Sequence, residues 1–130
     1  MDKLLYLTHT RPDISFSVSY LSQFLSKPND KHFEGAKRIL RYIKGSISVG
    51  IFMPTVSDFK LKGYTDSDWA GCLDSRKSVF AYCFYLDNSL ISWKSKKQQV
   101  VARSSAEVEY REMALGACEA QWLIYLMHNL

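Results

Sequence analysis

Two carboxylates in the second half of the chain are placed where chemistry could be done. Asp66 lies in residues 63–71 (GYTDSDWAG), at the end of a strand-like run that Leu61 and Tyr64 support and Gly71 closes. A carboxylate at a strand end beside a turn is well placed to meet a metal ion, whose hard charge asks for oxygen ligands. Asp68 stands two residues on, and alternation along a strand points it the same way as Asp66. Glu109 follows the start of a helix. Ser104 is a ready N-cap and Glu107, three residues later, its capping-box partner, which accounts for Glu107 but gives Glu109 no capping role. The plainer reading of either stretch alone is an acidic turn and a polar helix face.

Other residue types point less sharply. Cys72, Cys83 and Cys118 are odd in number, widely spaced and without a Cys-x-x-Cys pair, so neither a disulfide framework nor a zinc site is indicated. His9, His32 and His128 are scattered, which suits surface or packing roles. Lys94, Lys96 and Lys97 form a basic segment behind Trp93 and, with Arg103, are candidate phosphate contacts. Lys37, Arg38, Arg41 and Lys44 form a second basic face, equally readable as solvated helix.

The elements that must position these residues change character along the chain. Arg11-Pro12-Asp13 reads as an extended lead-in and cap to a helix in which Ile14, Val18, Leu21 and Leu25 recur until Pro28. Asn29 or Asp30 caps a second helix with Phe33, Ala36, Leu40 and Ile43 as its apolar stripe and Gly45 at its end. Residues 49–53 (VGIFM) predict a short strand, and residues 54–59 a linker. Strands then follow over residues 60–66, 79–86 and 90–93, with an Asp87-Asn88-Ser89 turn between the last two. A long helix from Ser104 towards Leu126 closes the chain, with Tyr110, Met113, Ala114, Ala117, Ile124 and Tyr125 along one side and Glu112 and Glu119 on another.

The fold class expected is α+β: a three-stranded antiparallel meander plus one long helix, preceded by two helices and a short strand. A domain boundary is expected between residues 1–56 and 57–130. At 130 residues the chain has room for one ordinary domain or a small domain with an appendage. The net charge of +4 comes from the first half, where eight Lys/Arg face four Asp/Glu through Ser57; beyond it nine face nine. Such a balance is compatible with a phosphate-rich partner without requiring one. No window approaches the roughly 18 apolar residues of a membrane span, and the start is too short an apolar run for a secretory signal, so an intracellular protein without a membrane partner is expected.

Residues 63–71 (GYTDSDWAG), 92–98 (SWKSKKQ) and 101–110 (VARSSAEVEY) together resemble the ribonuclease H region in the Pol polyprotein of copia-type LTR retrotransposons. Residues 4–15 (LLYLTHTRPDIS) and 38–45 (RILRYIKG) resemble the tail of the reverse transcriptase that precedes it. The resemblance covers nearly the whole chain. It implies a ribonuclease H-like fold and cleavage of the RNA strand of an RNA:DNA hybrid, with two Mg2+ ions clamping the attacking water and the leaving oxygen. Asp66 matches the first metal-binding carboxylate and Glu109 the second, with Asp68 a lesser ligand. Two divalent ions roughly 4 Å apart, each with oxygens about 2.1 Å away, need several carboxylates. In the family a third carboxylate follows on a later strand and a fourth near the domain's end, so this chain is expected to hold at most two of the four and to be inactive as it stands. No Tyr-x-Asp-Asp occurs, so the upstream half offers no polymerase centre.

Two further expectations follow. In place of the family's usual Ser-Thr-Ser-Gly the chain reads Ser78-Val79-Phe80-Ala81, which puts the local turn in question. Without the family's next strand, residues 60–66 become a sheet edge, to be covered by residues 49–53 or by self-association. The rival to the nuclease reading is a non-catalytic nucleic-acid- or protein-binding remnant.

Overall fold

A computed structural model describes residues 1–55, 59–72 and 75–129. Part of the expected linker (residues 56–58), Leu73 and Asp74 of the polar loop, and Leu130 lie outside the described residues. The chain divides into two compact units, Met1–Ile51 and Phe52–Leu130.

The first unit is helical. α1 (Asp2–Leu7), which the sequence reading did not anticipate, precedes a 3-10 turn at Pro12–Ile14, α2 (Ser15–Ser22) and α3 (Asp30–Gly45). α2 is shorter than its apolar spacing predicted, because the chain tightens after Ser22 into turns such as Phe24 N–H to the Leu21 carbonyl at 3.1 Å. Leu4, Ile14, Val18 and Ile39 form the core, with Leu21 and Ile43 packed against it. On α3 the buried position is therefore Ile39, while Phe33 and Leu40 of the expected stripe are exposed.

Two side chains set the geometry of this unit. Asn29 caps α3: its Oδ1 accepts the His32 N–H at 3.0 Å and its own N–H donates to His32 Nδ1 at 3.2 Å, with the Phe24 ring stacked on the imidazole at 4.1 Å. Arg11 is buried. It donates to both carboxylate oxygens of Asp13, at 2.9 and 2.7 Å, and to the Ser46 carbonyl and hydroxyl, at 2.9 and 2.8 Å. Asp13, expected as a cap, makes no side-chain cap; its carboxylate serves Arg11 instead.

Residues 49–53 form no strand, against expectation. Val49, Phe52 and Met53 are exposed, and extended apolar residues without a ladder partner gain nothing from strand geometry.

The second unit is the expected α+β arrangement. β1 (Leu61–Asp68), β2 (Val79–Leu86) and β3 (Ser89–Lys97) form an antiparallel sheet in the order β1-β2-β3, and α4 (Ser105–His128) packs on it. The hairpin between β2 and β3 turns on Asp87, at φ 53°, whose carboxylate also accepts the N–H groups of Phe59 and Lys60, each at 3.0 Å. β3 runs four residues past its expected end at Trp93, so Lys94, Lys96 and Lys97 are strand residues.

The Ser78–Ala81 stretch needs no glycine. Val79 begins β2 directly, Phe80 is buried, and the buried Ser78 accepts the Ala70 N–H on its hydroxyl (3.2 Å) and the Gln98 N–H on its carbonyl (2.8 Å).

α4 presents a face other than the one its larger side chains suggested. Val108, Glu112, Gly116 and Leu123 are buried, whereas Tyr110, Met113 and Tyr125 are exposed. Gly116 decides the contact: a Cβ there would lie 2.6 Å from Thr65 Cγ2, so the helix backbone rides directly on β1.

Candidate functional site

β1 is an edge of the sheet, and its register fixes what it shows. Asp87 N–H donates to the Lys60 carbonyl at 2.8 Å, and the pairing Leu61 with Leu86 through Asp68 with Val79 continues from it. In an antiparallel ladder alternate residues turn their backbone groups inward, so those of Lys62, Tyr64, Asp66 and Asp68 meet β2, while those of Leu61, Gly63, Thr65 and Ser67 face outward.

Side chains alternate as well. Thr65 meets α4 at Gly116, and Gly63 leaves room for the Phe84 ring on that same face. Asp66 and Asp68 therefore project from the opposite face, with Tyr64, whose ring meets Tyr85 edge-on at 6.1 Å. Both aspartates are exposed. The Trp69 indole N–H donates to the Ala102 carbonyl at 3.3 Å, tying the exit of β1 to the lead-in of α4.

Ser104 caps α4, its Oγ accepting the Glu107 N–H at 3.1 Å. The Glu107 carboxylate accepts the Arg103 N–H at 2.8 Å and pairs with Arg111 at 2.8 Å, which holds its pKa below the ordinary value. Glu109, one residue past buried Val108, is exposed on the flank of the packed face. Among the described residues the side chains of Asp66, Asp68 and Glu109 make no hydrogen bond or ion pair, and no three His, Cys, Asp or Glu are grouped so as to hold a metal ion.

Glu112, expected with Glu119 on a face apart from the apolar one and given no role in the site, lies in the packed face instead. It is 3% exposed, packed under β1 and β2, and its Oε1 has no hydrogen-bond partner among the described residues. Burial raises its pKa first of all, offset in part by the Ser67 hydroxyl and the Ala81 backbone, and the charge of Asp66 raises it further. The signal that could have found it was its four-residue spacing from Val108 and Gly116. Glu119, on the same face, accepts the Ser92 hydroxyl at 2.7 Å.

Asp66 and Glu109 would offer two carboxylate donors, the kind and number Mg2+ commonly takes from a protein while waters or substrate phosphates complete its shell. They do not fit a pair of ions. A cluster of cations lies at the far side of the sheet. Lys94 pairs with Tyr82 and Lys96 with Phe80 across the ladder, so both share the face that α4 covers. With Lys97 and Arg111 they line one groove; Arg103 is not part of its lining. Lys97 Nζ donates to Cys72 Sγ at 3.7 Å.

Comparison with known proteins decides the kinship. The chain is 46% identical over 127 residues to the Retrovirus-related Pol polyprotein from transposon RE1 of Arabidopsis thaliana, covering 98% of this chain and 9% of that protein. The chain is related to the Pol polyproteins of copia-type LTR retrotransposons. Similar Pol polyproteins occur in Nicotiana tabacum, from transposon TNT 1-94, at 42% identity over 121 residues. The same stretch recurs in shorter proteins: it is 44% identical over 119 residues to an uncharacterized mitochondrial protein of Arabidopsis thaliana, AtMg00810, covering 92% of this chain and 50% of that protein. It is also 44% identical to the Secreted RxLR effector protein 161 of Plasmopara viticola, covering 88% of this chain and 80% of that protein. The chain thus spans about a tenth of the length of the RE1 polyprotein and half of that of AtMg00810. No family model and no solved structure matches it. Among the described residues no helix is long and apolar enough to cross a membrane.

Proposed function

We propose that Phe52–Leu130 is the leading part of a ribonuclease H-like domain of a Pol polyprotein, and that Asp66 and Glu109 are its first two metal-binding carboxylates. One observation carries this: two exposed carboxylates without partners stand on β1 and α4, elements that pack directly on each other through Thr65 and Gly116. With no strand outside β1 among the described residues, an ion at that edge could be approached by Asp66 from the strand and by Glu109 from the helix flank. Asp68 is its lesser neighbour.

When bound, Mg2+ would supply a Lewis acid for the phosphoryl oxygen of an RNA:DNA hybrid and an activated water. Asp66 and Glu109 would hold and orient it. Two carboxylates are too few for an ion pair, so this segment alone is expected to bind one divalent ion weakly and to cut no hybrid.

The test uses Mn2+ as a paramagnetic stand-in, with amide line broadening as the readout and a hybrid-cleavage assay beside it. Broadening centred on residues 65–68 and 108–110, lost in Asp66→Asn and in Glu109→Gln, is expected, with no cleavage. Broadening at only one of the two stretches would show that the carboxylates do not share an ion and would overturn the assignment.

A non-catalytic binding role is the second reading. It is favoured by the recurrence of this stretch over four fifths of a short protein, with 80% of it covered.

A further inference from the structure

We infer that the groove between β3 and α4 is a binding channel for the sugar-phosphate backbone of a single nucleic-acid strand, remote in the sheet from the carboxylate edge. The inference rests on the reading above only for the class of partner; it uses neither Asp66 nor Glu109.

The groove has a volume of about 610 Å3 and gathers cations from two elements. Lys94 and Lys96 come from β3, on one face and two residues apart, hence about 6.6 Å apart along the strand. Arg111 comes from α4, where Glu107 engages its Nη2 at 2.8 Å and leaves its other donors to the groove. Among the described residues no Asp or Glu lines it. Its floor is apolar, built by Phe80 and Leu115 among others. Charges of one sign over a poorly polarisable floor focus their field into the cleft, which draws polyanions more strongly than the same charges spread on an open surface.

The segregation is not a matter of composition. Nine cationic and nine acidic residues follow Ser57, so this half of the chain is neutral overall, yet every charged residue among the described lining of this groove is a cation. Gln98 adds a polar feature: both atoms of its side-chain amide are buried without a hydrogen-bond partner, leaving an unmet donor and acceptor in the groove wall. A phosphate backbone offers acceptors and charge at regular spacing and makes no demand for base readout, which suits lysines and an arginine without a shaped base pocket.

The partner is probed with a fluorescein-labelled oligouridylate and the full chain, by anisotropy across a salt series in EDTA, so that no metal-dependent step enters. Three phosphate contacts on a single strand give a slope of log affinity against log salt near −2, about −0.7 per contact. The triple variant Lys94→Gln/Lys96→Gln/Arg111→Gln is expected to lose most of that slope, whereas Lys37→Gln/Arg38→Gln/Arg41→Gln on α3 keeps it.

A wild-type slope shallower than about −1 would overturn the inference without any variant. So would a loss confined to the α3 variant, or poly-glutamate binding as tightly as the oligonucleotide, which would mark the groove as a dock for acidic protein. Loss of Mn2+ binding at Asp66 with this salt dependence intact would defeat the metal assignment and leave the groove standing.

Discussion

Each unit buries one charged side chain among the described residues, Arg11 in the first and Glu112 in the second, and the two are treated in opposite ways. Arg11 comes with its partners. Its planar fork meets both oxygens of Asp13 and two oxygens of Ser46, so a buried charge becomes the clasp between the turn at residues 11–14 and the end of α3. Glu112 lies under the sheet with one oxygen unpartnered. A buried ion that is fully hydrogen-bonded holds a fold in register, and one that is not costs stability wherever it stays charged.

The largest effect expected follows from breaking the clasp. Arg11→Ala leaves Asp13 and Ser46 without their donor, and the helical unit should lose its cooperative melt; Arg11→Lys restores part of it, because an ammonium cannot reproduce the fork. Trp69, Trp93 and Trp122 all lie in the second unit, so tryptophan fluorescence should stay native while the helical circular dichroism signal falls. Fluorescence changing in step with that signal would show that the clasp serves more than its own unit.

The converse change should stabilise. Glu112→Met keeps length and helix propensity and removes the orphan oxygen, and the tryptophan-detected transition should rise by about 1–3 kcal/mol. No gain, or a loss, would mean that Glu112 finds a partner in solution.

Gly116→Ala tests the close approach that buries Glu112. The gain of about 1 kcal/mol in helix propensity is set against a clash with Thr65 Cγ2, and overpacking of roughly 1–3 kcal/mol should win. Thr65→Ser removes that methyl and should recover most of the loss in a double-mutant cycle. Additive effects would place the strain elsewhere.

The two buried ions should also respond to pH with opposite sign. Arg11 lowers the folded pKa of Asp13 below 3.8, so its contribution is complete above that value and fades as pH falls through the folded pKa. Burial raises the folded pKa of Glu112 above 4.5, so the fold is least penalised below 4.5 and loses stability as pH rises through the raised value. The tryptophan-detected stability of the wild type should therefore decline from pH 4.5 upward, and the decline should vanish in Glu112→Met. Smallest of all, Asn29→Ala should cost the helical unit about 1 kcal/mol, with no change in the tryptophan signal.

Much of the fold could be read along the chain because the signals were local. Asn29 and Ser104 mark helix starts by satisfying amides within one turn, Gly45 marks an end, and Asp87 turns the hairpin with its own backbone angle. The candidate site was legible only as residue types. Spacing singled out Asp66, Asp68 and Glu109 by their places in the elements. It missed Glu112 and Arg111, whose roles depend on what lies across a helix-sheet contact.

α4 shows where the sequence stops deciding. Apolar residues occur nearly all round it, so periodicity favoured the side with Tyr110, Met113 and Tyr125, the larger groups. Packing chose the side with the smallest, since only at Gly116 could the helix backbone come down on Thr65, and Glu112 was carried into the interior with it. Likewise the apolar run at residues 49–53 had strand composition but no ladder to join, and remained irregular. The amino-acid sequence by itself thus determined where elements begin and turn, because caps and turns are satisfied within a few residues. Which face each element buries, and therefore which carboxylate is exposed and which is trapped, was decided only by the tertiary structure, because close packing depends on the shapes of residues distant in the chain.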